Sequence, residues 1–303
     1  MTTLITTPNL DKDLLVRKIV EQFLQADALI YKRPLLEFFD DQGRFIGDNL
    51  FETTFKLRPD QAPLIYEVSG PYDTVSKEYA TIAKVYHRGE LVFQFDLKPG
   101  IIQRTAAMVW IYLDVLKHKI GKVLLIGAGK VGKSTAEYLK HFTPDLNSID
   151  YQDVERKIVS FEDPLRAIGI QAKYVESPEF SQYDTIIMAT TTNRCLVNEE
   201  NISSIRAGSA VVSLCTTSQS GEIAKEIYGR GDVNVFLDYD LSKTFTEDMK
   251  KVNELGYLDN VYYLKDLIKG EDEINKEQKI NIIRLTGTPM QNIAVIDILF
   301  EKK

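Results

Sequence analysis

Apolar Leu15, Ile19 and Phe23 and their neighbours recur at spacings of three and four within residues 11–29, DKDLLVRKIVEQFLQADAL, with acids at the start. That period predicts an amphipathic helix. From about 46 to 97 the texture changes to short β-rich runs, NLFETTFKL, APLIYEVSG, YATIAKVYH and ELVFQFDL, broken by Pro, Gly, Asp and charged residues. These runs predict a mostly antiparallel sheet, with the HRGE of residues 87–90 as a hairpin turn.

A helix is expected from about Ile102 to His118, ended by Gly121, and the pattern then changes again. VLLI, SIDYQD, QAKYVE, DTIIMATT, AVVSLC and NVFLDY alternate with helical stretches such as VERKIVSF and EIAKEIY. Strands alternating with helices predict a parallel, doubly wound α/β sheet. The last segment, IIRLTGTPMQNIAVIDILF, reads as a strand, a Gly/Pro turn and an apolar helix, after a charged, solvated connection at 269–279. No internal repeat interrupts this order.

At the first of the later strands, Gly127, Gly129 and Gly132 form G-x-G-x-x-G before a helix around Ser134–Phe142. In such a loop the first glycine permits a tight turn, the second lets the backbone approach a pyrophosphate, and the third packs helix on strand. The helix N-terminus adds amides and a positive dipole end. The set Gly127, Ala128, Gly129, Lys130, Val131 and Gly132 is therefore a candidate dinucleotide loop. An acid closing the next strand should meet the ribose, and Asp153 fits, with Asp150 as the fallback. A carboxylate there favours NAD, with NADP possible.

The same stretch also satisfies G-x-x-x-x-G-K-[ST] through Gly127, Gly132, Lys133 and Ser134, so an NTPase phosphate loop is a second reading. It needs an Asp to hold Mg²⁺ at the end of another strand, for which Asp238 is the candidate.

The 303 residues leave room for two domains, and 37 Lys+Arg against 44 Asp+Glu give a net charge of −7. An acidic chain lacks the basic face that nonspecific nucleic-acid binding requires, so a small molecule is the expected partner. Two cysteines, Cys195 and Cys215, and three histidines fall in no zinc-ligand or disulfide spacing, and no metal site is expected. The opening MTTLITTPNLDKDLL lacks the features of a signal peptide, and no apolar run is long enough to span a membrane. A reducing, cytoplasmic location is the expectation.

Three further segments surround the glycine loop: Gln103-Arg104-Thr105-Ala106-Ala107 before it, YDTIIMATTT and AGSAVVSLCTTSQSGEI after it, and RLTGTPMQNIAV near the end. In this order they resemble the ornithine cyclodeaminase/mu-crystallin family, over about residues 100–298 and by texture alone before that. The resemblance implies a Rossmann fold, a doubly wound parallel sheet, over residues 119–284. It also implies an α+β substrate and dimerisation domain built from 1–118 with 285–303. A homodimer binding NAD(P) and acting on amino acids or related imines is implied as well.

By that resemblance Arg104 binds the substrate carboxylate, a role that suits a guanidinium fork, and Arg33 is a looser second match. Thr190, Thr191 and Thr192 fall at the carboxyl end of one strand, and Leu214 and Cys215 at the end of the next, where open α/β sheets bind ligands. Gly287 matches a glycine of the family's terminal segment, with Gln291 retained and Asn292 where Asp is usual.

Two charged groups of the cyclodeaminases have no counterpart. The Lys position falls on Tyr66 or Glu67, and the Asp position on Thr216 or Thr217, which argues against ornithine cyclisation. Lys84 is a candidate replacement acid, against the reading of an edge-strand lysine that deters aggregation. Tyr66, Tyr86 and His87 are other proton donors. The expected activity is an NAD(P)-dependent oxidoreductase acting on the C–N centre of an amino-acid-derived imine or N-substituted amino acid. A cyclodeaminase-like ammonia lyase recycling its own NAD is one alternative, and an inactive nucleotide-binding protein of the mu-crystallin type is another.

Overall fold

A computed structural model describes residues 5–6, 8–24, 29–32, 35–39, 45–58, 61–73, 78–79, 81–190, 194–214, 221–244, 246–259, 261–271 and 274–301. The early elements are β1 (Ile5–Thr6), α1 (Lys12–Leu24), β2 (Leu29–Lys32), β3 (Leu35–Phe39), β4 (Phe45–Arg58) and β5 (Gln61–Asp73). They continue with β6 (Glu78–Tyr79), β7 (Ile82–His87), β8 (Glu90–Asp96) and α2 (Lys98–Val115). Next come β9 (Val123–Ile126), α3 (Lys130–Phe142), β10 (Ser148–Gln152), α4 (Asp163–Ala167), β11 (Gln171–Tyr174), β12 (Thr185–Met188) and β13 (Ala210–Ser213). The chain closes with β14 (Val233–Leu237), α5 (Glu247–Glu254), β15 (Tyr262–Tyr263), α6 (Leu264–Lys269), β16 (Ile280–Arg284) and α7 (Pro289–Glu301).

Contacts divide the chain into two units, residues 1–104 with 289–303, and residues 105–288. In the first, the strand order β1-β8-β7-β5-β4-β2 is antiparallel apart from the β1–β8 pair. The β7–β8 hairpin turns where the sequence predicts it, because Arg88 (φ 53°) and Gly89 (φ 83°) take the left-handed conformations that match strand twist. The α1 helix starts where Asp11 Oδ1 accepts the Leu14 amide at 2.8 Å, and it buries Leu15, Ile19 and Phe23 completely. It packs against α7, with Gln22 Nε2 donating to Asp297 Oδ2 at 3.2 Å.

The second unit is a parallel sheet ordered β11-β10-β9-β12-β13-β16-β14-β15. The chain enters at β9, winds outward through β10 and β11, then returns to β12 on the other side of β9, which is the doubly wound arrangement. Every residue of β9, β12, β13, β14 and β16 is buried, as expected for strands covered on both faces. The chain's fold is α/β, a Rossmann-like parallel sheet with a separate, largely antiparallel one.

Some local expectations are corrected. The helix expected from Ile102 begins at Lys98, where Asp96 Oδ1 accepts the Lys98 amide at 3.1 Å. VERKIVSF yields a π-helical turn at Ile158–Glu162 rather than a regular helix, and EIAKEIY a 3₁₀ turn at Lys225–Gly229. Lys84 is not on an edge: β7 lies between β5 and β8. No helix among the described residues is long and apolar enough to cross a membrane.

Candidate functional site

The glycine loop leaves β9 at the point where the strand order reverses. Gly127 has φ +100°, and a Cβ there would stand 2.4 Å from the Ala189 carbonyl oxygen, so no larger residue fits. At Gly132 a Cβ would lie 2.0 Å from the Gly127 carbonyl oxygen, which is how α3 comes so close to the loop. Gly129 differs: it is the N-cap of α3, and its missing side chain would meet nothing within 4 Å. No side chain caps this helix end. Its first amides and dipole therefore present positive potential beside an open glycine face, with Ala128 buried, Lys130 exposed and Val131 half-buried.

Asp153 follows β10 directly and turns toward the loop. Its Oδ2 accepts the Ala128 amide at 2.8 Å and its Oδ1 the Val154 amide at 2.6 Å. The fallback Asp150 is engaged elsewhere, accepting from the Tyr183 hydroxyl at 3.0 Å and pairing with Lys122 at 3.4 Å. An open glycine face, an uncapped helix end and a carboxylate on the adjoining strand suit the diphosphate and ribose of a dinucleotide.

The same geometry disfavours the NTPase loop. Helix α3 starts at Lys130, so only Ala128 and Gly129 separate Gly127 from the helix, too short a stretch to wrap a triphosphate. Lys133 lies within the helix and pairs with Glu137 at 3.0 Å. Asp238, the candidate Mg²⁺ ligand, is fully buried, and its Oδ2 accepts the amides of Thr286 and Gly287 at 3.0 and 3.2 Å. That carboxylate fixes the turn in which Gly287 (φ +74°) sits. Together with burial it raises the pKa of the Tyr112 phenol well above its ordinary value, burial being the larger cause.

At the carboxyl ends of β12 and β13 the structure reveals a residue that sequence reasoning missed. Glu222, 1% exposed, accepts from the Thr190 hydroxyl at 2.6 Å and the Thr190 amide at 3.1 Å through Oε1. Its Oε2 accepts from the Ser213 hydroxyl at 2.8 Å. Ser213 Oγ in turn accepts from Arg284 Nη1 at 3.1 Å, and Arg284 pairs with Asp248 at 3.0 Å. Burial pushes the Glu222 pKa up, while the Thr190 and Ser213 hydrogen bonds and the Arg284 charge oppose it. The only signal for Glu222 in the sequence is an acid between Gly221 and an apolar residue. Leu214 is buried next to this group, its amide donating to the Met188 carbonyl at 2.9 Å. Thr191, Thr192, Cys215, Thr216 and Thr217 lie outside the described residues.

Thus Gly127–Gly132, Asp153, Thr190 and Leu214 share the carboxyl edge of one sheet. Arg104 and Lys84 belong to the other unit. Arg104, 9% exposed on α2, donates from Nη1 to Gln291 Oε1 at 2.6 Å and from Nε to Asn292 Oδ1 at 3.2 Å. Lys84 is half-buried on the face of β7 opposite Ala83 and Val85, with Glu67 and Gln94 as its register partners. Arg33 lies outside the described residues, as do the side chains of Tyr66 and Glu67.

Neither a family model nor a curated protein sequence matches the chain. Solved structures do match its fold. A probable ornithine cyclodeaminase from Bordetella pertussis Tohama I is similar with a TM-score of 0.82 at 16% identity, covering 99% of this chain and 96% of that one. Thermococcus litoralis Δ1-pyrroline-2-carboxylate reductase, in complex with NADH and L-proline, gives 0.81 at 16% identity, with the same coverage of 99% and 96%. An archaeal alanine dehydrogenase dimer with bound NAD gives 0.78 at 18% identity, over 99% of this chain and 95% of that one. At this identity the likeness shows the fold, shared over 99% of this chain.

Proposed function

We propose that this protein is an NAD(P)-dependent oxidoreductase acting on the C–N centre of an amino-acid-derived imine or N-substituted amino acid. The observation that carries the reading is the open Gly129 face at the uncapped start of α3, with Asp153 turned toward the same loop. The shared fold with an imine-acid reductase bound to NADH and with an NAD-bound alanine dehydrogenase supports it.

In this reading residues 119–284 form the nucleotide-binding domain, and 1–118 with 285–303 the substrate and dimerisation domain. Gly127–Gly132 would hold the diphosphate, Asp153 the ribose, and Thr190–Thr192, Leu214, Cys215 and Gly287 the nicotinamide end. Val154, 95% exposed beside Asp153, offers apolar surface to an adenine ring. Bound NAD(H) supplies or accepts the hydride. Arg104, already clasped by two amide oxygens, has guanidinium geometry suited to a substrate carboxylate, and Arg33 is a second cation for it. Lys84 is the proposed proton donor to the imine nitrogen, a step that needs an acid positioned at that atom. A homodimer is proposed as the assembly, in line with the dimeric alanine dehydrogenase of the same fold.

The test is to mix purified protein with NADH or NADPH and a panel of cyclic imines, keto acids with amines, and dehydroamino acids, following the nicotinamide absorbance. Oxidation of the cofactor by an imine acid, with apparent affinity weakened at least tenfold by Arg104→Ala, is the expected result. Failure of both cofactors to bind would overturn the reading. Ammonia release from ornithine or lysine without net NADH would move the assignment to a cyclodeaminase.

A further inference from the structure

Beyond Asp153 the chain places two cations within four residues, Arg156 and Lys157, and each is held by a carboxylate. Arg156 donates from Nε to Glu162 Oε1 at 2.6 Å and from Nη2 to Glu162 Oε2 at 2.9 Å. The Arg156 side chain is 58% exposed, whereas that of Glu162 is 3% exposed. Glu162 also accepts from the Tyr151 hydroxyl at 2.7 Å, and that hydroxyl accepts the Lys157 amide at 2.9 Å. Lys157 pairs with Glu155. The π-helical turn at Ile158–Glu162 brings Glu162 back onto this run, its amide and that of Phe161 both donating to the Lys157 carbonyl at 3.0 and 3.1 Å.

NADP differs from NAD by a phosphate on the adenosine 2′-oxygen. Sites that accept it place an arginine near the position where NAD-binding sites keep the ribose acid. Arg156 has the right chemistry and the right place in the sequence, three residues after Asp153. To reach a phosphate it must leave Glu162, and that leaves a buried carboxylate with the Tyr151 hydroxyl as its remaining side-chain donor among the described residues, a costly state. The Asp153 carboxylate, fixed by two amides, adds direct repulsion.

We infer that Glu162 is a specificity-determining residue: by withholding Arg156 from the ribose edge of the site, it makes the chain selective for NAD(H) over NADP(H). The inference rests on the reading of the glycine loop as a dinucleotide site. The bonding also shifts both partners in the direction of a tight pair, Glu162 downward, chiefly through its hydrogen bond from Arg156, and Arg156 upward for the same reason.

The experiment titrates NADH, NADPH and adenosine 2′-monophosphate into the purified protein, read by nicotinamide fluorescence and calorimetry, so no turnover is needed. The unsubstituted chain should bind NADH at least tenfold more tightly than NADPH. Glu162→Gln keeps an acceptor for Tyr151 but loses the charge, and should lower the ratio of NADPH to NADH dissociation constants at least tenfold. It should also strengthen adenosine 2′-monophosphate binding, and adding Arg156→Gln should reverse both gains. If Glu162→Gln fails to fold, Arg156→Gln alone decides: a withheld arginine predicts an unchanged ratio. A ratio unmoved by Glu162→Gln, a chain that prefers NADPH, or an NADPH loss on Arg156→Gln alone overturns the inference while leaving the dinucleotide reading standing. Absence of binding by NADH and NADPH alike overturns the dinucleotide reading itself.

Discussion

At the scale of single residues, the three glycines of the loop do different physical work, and substitution separates them. Gly132 has no room, since a Cβ would fall 2.0 Å from a backbone oxygen that cannot step aside. Gly132→Ala should therefore cost at least about 1–3 kcal/mol of stability, the range for overpacked sites. Gly129 has negative φ (−80°) and empty space around its missing side chain. Gly129→Ala should fold with a loss of at most about 1 kcal/mol, the cost of a poorer N-cap, while weakening NADH binding about tenfold or more. Thermal melts and NADH titrations of the two variants check this. A Gly129→Ala protein that binds NADH normally would mean the open face is not where the diphosphate lies.

At the scale of elements, strands β12 and β13 are tied at their carboxyl ends by Glu222, which gathers a hydroxyl and an amide from one and a hydroxyl from the other. Its folded pKa is raised above the ordinary 4.5, so the native state favours its neutral form. The sign follows by linkage: this share of stability is complete below the unfolded value and is lost as pH rises through the folded one. Glutamine cannot ionise and can still pair with Ser213 and Thr190. The melting temperature of Glu222→Gln relative to the unsubstituted chain should thus climb as pH is raised from 4.5. A difference that stays flat with pH would show that Glu222 is charged in the fold at no cost. The alternation of apolar runs made these strands legible, and the loop glycines, Asp153 and the β7–β8 hairpin were legible from local spacing. Glu222 and the Asp238 clasp on the Gly287 turn were not, because their roles come from distant partners, Thr190, 32 residues from Glu222, and Thr286, 48 residues from Asp238. Glu162 was not for another reason: it meets Arg156 and Tyr151, only 6 and 11 residues away, through a π-helical turn that no regular periodicity signals. Helix α3 starts at Lys130, a turn before the Ser134 that the pattern predicts, for a local reason: Gly129 serves as N-cap without a polar side chain, so no capping residue marks the boundary.

At the scale of the whole molecule, the proposed cofactor residues and the proposed carboxylate anchor fall in different units. Gly127–Gly132, Asp153, Thr190 and Gly287 lie within residues 105–288, while Arg104 closes the first segment of the other unit and meets Gln291 and Asn292 of its second. Ligand binding stabilises what it touches by mass action, by about 2.7 kcal/mol when the ligand is at 100 times its dissociation constant. Because local opening governs amide exchange, that stabilisation is read by position along the chain. NADH alone should slow exchange in β9, the glycine loop, the start of α3 and the ends of β10 and β12. The amino-acid product of imine reduction, added afterwards, should extend protection to α2 around Arg104 and to the start of α7. If NADH instead protects chiefly residues 1–104, the cofactor has been assigned to the wrong unit. If the second ligand leaves Arg104 and its neighbours unchanged, the substrate carboxylate binds elsewhere, and Arg104 serves to join α2 to α7 through Gln291 and Asn292.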